Sequence, residues 1–254
     1  MFRNIALLTA ILVLPHSATA ENTSALQCWI QAQEYYKEKS QDEIISDSSP
    51  LQQWMFSANS SGVVLLSEPK STPNSSPIGY SLKNKSRRRF LQYEKQDYGI
   101  NLGWTKNASA QTEQASQGFA VTPPYNDRIL RYGSVVALSW GQMSKPYLRY
   151  KKRKWGINLS WERNPSYEWK VLGGAEGSPV RQGKDWVILF NMTHAEPMLF
   201  FKRKRGGNIG WPDSKNWSPW WEPSFSTTIQ GTNTCEKYMA RAAARILAKV
   251  PVVQ

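Results

Sequence analysis

Apolar positions in this chain come in short runs of four to eight residues, rich in Val, Ile, Trp, Tyr and Phe and broken by Gly, Pro and Asn. Runs of that length and composition predict strands rather than helices. In "GINLGW" the side chains of an extended chain alternate, placing Ile100, Leu102 and Trp104 on one face and Asn101 with Gly103 on the other. The arrangement returns with Ile157, Leu159 and Trp161, and again with Ile209 and Trp211. Upstream of each copy lies an apolar run, "GVVLLSEP", "GSVVALSW" and "KDWVILFN" in turn. Further upstream come "QQWMFSA", "QGFAVTP" and "YEWKVLG", where Trp54, Phe119 and Trp169 hold the equivalent place.

The spacings support three copies of one four-stranded unit. Phe119 to Trp161 and Trp169 to Trp211 are both 42 residues, while Trp54 to Trp104 is 50, an excess that fits one insertion near "STPNSSPIGYSLKNKS". Three units are too few to close a propeller. Three imperfect repeats, each ending in a "GINLGW"-like strand, resemble the β-trefoil superfamily, and the resemblance covers about 51–223. It implies an all-β fold with repeats at about 51–105, 117–162 and 166–212. Members of that superfamily include lectins, heparin-binding growth factors, protease inhibitors and toxin subunits, so the fold alone does not choose a function. The Gln-x-Trp signature of ricin-type lectins is missing, with Asn101-Leu102-Gly103-Trp104 standing in its place. The resemblance therefore carries over no galactose-type site.

At both ends the period changes to that of a helix. "SALQCWIQAQEYYKEKS", within a 21–50 segment, opens with a Ser24-x-x-Gln27 capping pattern and puts Leu26, Trp29 and Ile30 on one face. "TCEKYMARAAARILAKVP", within 224–254, groups Tyr238, Met239, Ala242, Ala243, Ile246, Leu247 and Val250 on one side and Arg241, Arg245 and Lys249 opposite. Packing on the strands suits its alanine-rich face better than lying in a bilayer interface. The two cysteines, Cys28 and Cys235, are expected to pair, and a trefoil that brings its chain ends together would let them meet.

Residues 1–20 read as a signal peptide, with basic Arg3, an apolar core too short to span a bilayer, and "ATA" before a cleavage after Ala20. The expected location is periplasmic or extracellular, with no transmembrane anchor. Thirty-two basic against 19 acidic residues give a net charge of +13. An exported chain of that charge seeks glycans, other polyanions or an acidic protein; export argues against nucleic acid as partner.

The basic runs recur with the units: Arg87, Arg88 and Arg89 in the first, Lys151, Lys152, Arg153 and Lys154 in the second, Lys202, Arg203, Lys204 and Arg205 in the third. Adjacent cations repel unless solvated or bound, so the last two runs are candidate ligand contacts, or else solvated hairpin tips. Trp217, Trp220 and Trp221, outside the alternation, are candidate platforms for sugar rings or a partner's side chains. The repeated indoles of Trp104, Trp161 and Trp211 read as core, and Asn101, Asn158 and Asn208 as turn residues or sugar contacts. Beyond the signal segment there is one histidine, His194, and no nucleophile motif, so neither an enzyme, a metal site nor a cofactor is expected. The expected function is recognition of glycans or acidic polysaccharide. The alternative is a protein-binding role, as a toxin subunit or an inhibitor using the loop around 71–89.

Overall fold

The computed structural model describes residues 20–58, 61–67, 79–97, 99–124, 127–141, 143–153, 156–200, 208–211 and 240–249. Strands dominate, and the pairings between them are antiparallel. In each unit the leading strand pairs with a second strand in the same register. Gln53–Ser57 sets Phe56 opposite Leu82 in Ser81–Asn84. Phe119–Thr122 sets Val121 opposite Leu138 in Val135–Trp140. Trp169–Leu172 sets Val171 opposite Leu189 in Val187–Asn191. The leading strands also reach the second strand of the unit before: Gln53–Ser57 pairs with Val187–Asn191 and Trp169–Leu172 with Val135–Trp140. Phe119 exchanges two backbone hydrogen bonds with Tyr80, at 2.7 and 3.0 Å.

This register moves one expected element. The run "GVVLLSEP" is not the counterpart of "GSVVALSW"; Ser81–Asn84 is. That strand has a single large core side chain, Leu82, flanked by buried Ser81 and Asn84, so hydropathy points past it. Hydrogen bonds compensate its buried polar groups. Asn84 Nδ2 donates to Leu51 O at 2.9 Å, its Oδ1 accepts from Arg87 N at 2.9 Å, and Ser81 Oγ donates to Glu113 O at 2.5 Å. The displaced run joins a different set, in which the amide of Val64 donates to Val180 O, that of Val180 to Leu130 O, and that of Leu130 to Val64 O, at 2.8, 2.9 and 2.8 Å. All three side chains are fully buried.

One apolar core draws on all three units. Trp54 stacks on Trp104 and Trp169 on Trp211, with ring centroids 5.9 and 6.1 Å apart. The aromatic residue eleven positions before each unit's last tryptophan meets the tryptophan of the next unit: Tyr93 with Trp161, Tyr150 with Trp211 and Phe200 with Trp104, at 6.2, 5.8 and 5.6 Å. The buried indoles of Trp54 and Trp169 each keep a polar partner. Trp54 Nε1 donates to Met198 O at 2.9 Å and Trp169 Nε1 to Leu148 O at 2.8 Å. Trp211 is fully buried, whereas Trp104 and Trp161 are half-buried against the core. Each fully buried side chain of this kind contributes about 1.5–3 kcal/mol over leaving it in water.

Helices cover the outer face of the third unit. Ala20–Lys37 and Gln41–Asp47 supply Ala32, Tyr36 and Ile44, and a helix over 240–247 supplies Ala242, Ala243 and Leu247, all against Leu172, Ile188 and Phe190. Those strand residues alternate with Val171 and Leu189 of the inner core, so these strands are buried on both faces. Ser40 and Glu43 close a reciprocal capping box on Gln41–Asp47. Ile30, expected on the buried face of the first helix, is 46% exposed. Among the described side chains of this helix the buried stripe runs through Cys28, Ala32 and Tyr36, spaced by four, while those of Leu26 and Trp29 lie outside the described residues.

The expected basic face of the last helix is partly spent on the protein itself. Arg241 Nε lies 2.5 Å and Arg245 Nε 3.8 Å from Oε1 of buried Glu196. No cysteine among the described residues is free. Cys235, Tyr238, Met239, Val250 and the segment 1–19 lie outside the described residues. No helix among the described residues is long and apolar enough to cross a membrane.

Candidate functional site: a basic, tryptophan-walled cavity

The sequence predicted a site in the hairpins. Lys151 and Lys152 are exposed, with Lys151 Nζ 3.7 Å from Glu162 Oε1, and Arg153 is half-buried. The amide of Arg153 donates to Asn158 Oδ1 at 2.9 Å, and that of Gln96 to Asn101 Oδ1 at 3.1 Å. Asn101 Nδ2 also donates to Tyr93 Oη at 2.9 Å. These asparagines brace turns. Lys154, Lys202, Arg203, Lys204, Arg205, Trp217, Trp220 and Trp221 lie outside the described residues, as do 71–78 of the loop considered for an inhibitor; the rest of that stretch is not one long loop, since it holds the strand Ser81–Asn84. In the first unit, the Arg87 guanidinium carbon sits 5.8 Å from the Phe200 ring. His194 is packed between aromatic rings, stacked on Tyr150 at 4.2 Å and edge-on to Trp211 at 4.8 Å. Among the described residues, no group of three His, Cys, Asp or Glu could hold a metal ion.

A different set of side chains converges on a cavity of about 810 Å³. It lies between the end of the Gln41–Asp47 helix, the leading strand of the first unit, and the loops of the third unit. Its size is that of a small-ligand cleft. The charged and aromatic part of the wall is Lys85, Arg181, Lys184, Asp185, Trp186 and Tyr132.

Two of these charges cancel. Arg181 grips Asp185 through Nη2 at 2.7 Å and Nε at 3.0 Å, and its amide donates to Oδ2 at 2.9 Å. Burial works against the Asp185 carboxylate, but the Arg181 bonds, with help from Tyr132, outweigh it and hold its pKa below the ordinary aspartate value. Burial first, and then the charge of Asp185, push the Tyr132 phenol well above its usual pKa. The other two charges have no such partner. Neither Lys85 nor Lys184 pairs with a carboxylate among the described residues.

Lys85 is held in place by a buried amide. Gln53, 5% exposed, accepts from Lys85 Nζ at 2.6 Å through Oε1, while its Nε2 donates to Ser48 O at 2.6 Å and Ser48 Oγ at 3.0 Å. The ammonium stands 5.7 Å from the Trp186 ring. Gly173 and Gly174 let the wall pack closely on itself. Gly173 has φ +115, and a Cβ on Gly174 would fall 2.4 Å from the Tyr132 ring.

Sequence reasoning missed this site because its parts are scattered across three units and a helix. Lys184 and Trp186 stood at the edge of "KDWVILFN", which reads as strand, and Lys85 beside the arginine run. A cation two residues from a tryptophan outside the alternation was the available signal. Compared with known proteins, the chain matches no family model, no curated protein and no solved structure.

Proposed function

We propose that this is an exported, non-catalytic binding protein that recognises glycans or acidic polysaccharide, built on a β-trefoil. The trefoil reading is supported by the cyclic relations: each leading strand joins its own unit and the one before, and each hairpin aromatic meets the last tryptophan of the next. In this reading Cys28 pairs with Cys235 and ties the first helix to the segment leading into the last, which is in keeping with a buried Cys28 that is not free.

The observation that carries the binding function is the cavity wall, where two ammonium groups with no carboxylate partner among the described residues share the lining with a half-buried indole. Uncompensated cations cost the folded protein self-repulsion that an anion relieves. A flat indole offers a sugar ring an apolar face. The net charge of +13 and the exposed Lys151 and Lys152 extend the attraction over the surface.

A glycan array that includes heparin and lipopolysaccharide, read at low and high salt, tests the proposal. Acidic glycans should be retained at low salt and lost as salt rises, because screening weakens surface electrostatics. Absence of glycan binding at low salt sinks it.

A further inference from the structure

We infer that the cavity between the Gln41–Asp47 helix and the third unit is the subsite for one acidic sugar residue of a glycan chain, with its carboxylate or sulfate between Lys85 and Lys184 and its ring against Trp186. The inference rests on the glycan-binding reading above and deepens it to one site and one ligand class.

The anion follows from which charges remain available. Arg181 is charge-paired with Asp185, which in turn is bonded by Tyr132, so that trio carries no net positive charge. Lys85 and Lys184 are what a ligand meets. Lys85 is oriented by a neutral amide, Gln53 Oε1, which fixes the ammonium without neutralising it. Both lysines are exposed, so their charge is available at the cavity mouth.

A sugar, rather than a bare anion, follows from the rest of the lining. Trp186 presents ring surface beside the cations. Ser46 and Ser178 add hydroxyls to the lining. A cleft of about 810 Å³ is far larger than an inorganic anion needs. Ring stacking plus a few oriented polar groups is the usual make-up of a small-molecule site.

Calorimetric titration of the full chain tests the inference, using three oligosaccharides of equal length: one bearing glucuronate, one sulfated, one neutral. The acidic pair should bind and the neutral one should bind at least about tenfold more weakly. Whichever acidic chain binds tighter identifies the acid group. Lys184→Ala and Trp186→Leu should each weaken acidic binding by about tenfold or more, with unchanged circular dichroism and melting temperature. Lys106→Ala should leave this affinity within about threefold, since that exposed lysine lies outside the cavity.

The subsite is overturned, while the glycan reading stands, if Lys184→Ala and Trp186→Leu bind as the parent does. The acid requirement is overturned if the neutral chain binds equally well. If inorganic phosphate or a mononucleotide displaces the ligand where free sugar acid cannot, the cavity is a phosphate site and the inference fails. If no oligosaccharide binds the unaltered protein, the inference and the glycan reading fall together.

Discussion

The amide of Val64 donates to the carbonyl of Val180 at 2.8 Å, joining the first unit to the third. Leu130 of the second unit completes the ring, donating to Val64 and accepting from Val180. Three buried side chains from three distant stretches thus share one small volume, and removing any of them leaves a hole in which all three units meet. Leu130→Ala is expected to cost about 2–5 kcal/mol in urea unfolding, the range for a buried leucine whose surroundings relax only in part. A cost under about 1 kcal/mol would show that the ring is not a packing centre.

The indoles of Trp54 and Trp169 do the same kind of work at another level of the core. Each passes its N–H to a carbonyl of the preceding unit, Met198 or Leu148. Trp54→Phe and Trp169→Phe keep most of the ring and delete the donor, leaving a buried carbonyl short of a partner. Each should lower stability by about 1–3 kcal/mol. Phe119 holds the equivalent place in the second unit with no N–H to give, so Phe119→Leu loses ring packing but no such bond, and chemical denaturation of the three variants separates the two effects.

Acidification should weaken the cavity wall before the core. Asp185 has a folded-state pKa below its unfolded value, so its contribution is fully present above the unfolded value of about 3.9 and is lost as pH falls through the folded one. Asp185→Asn should therefore be less stable than the parent at pH 7. The gap should narrow as pH drops below about 4, where the parent's carboxylate takes up a proton. Denaturant titrations at pH 7 and pH 3 measure it.

The proposed bridge between Cys28 and Cys235 closes most of the chain into a loop. Peptide mapping without reductant should find the two cysteines in one linked peptide pair. Cys28→Ser should cost about 4 to 5 kcal/mol by loop entropy. Two alkylatable thiols in the unfolded, unreduced protein would refute the bridge.

Burial was readable in the sequence at Ile100 and Leu102, although only Gly103–Trp104 of that run is strand and the amide of Leu102 donates to Ile100 O in a turn before it; the 42-residue spacing of the second and third units reflects the common register of Val121 with Leu138 and Val171 with Leu189. The error at "GVVLLSEP" has a physical source. That run is more apolar than Ser81–Asn84, yet burial in the latter depends on hydrogen bonds made by Ser81 and Asn84, which hydropathy cannot see. Ile30 failed for a similar reason: small Ala32 and Tyr36 form the contact because the alanine face of the last helix comes close there. The basic hairpins were visible as charge runs, but the cavity was not. Lys85, Lys184 and Trp186 form a site only through packing of the Gln41–Asp47 helix on the third unit, a relation that no local spacing encodes.

Amide hydrogen exchange, measured with and without a saturating acidic oligosaccharide, reads directly where the ligand sits. Protection is expected in 46–53, 83–86 and 173–186, the stretches that line the cavity, with 150–153 unchanged. Protection confined to 150–153, with the cavity stretches exchanging as in the free protein, would contradict the account.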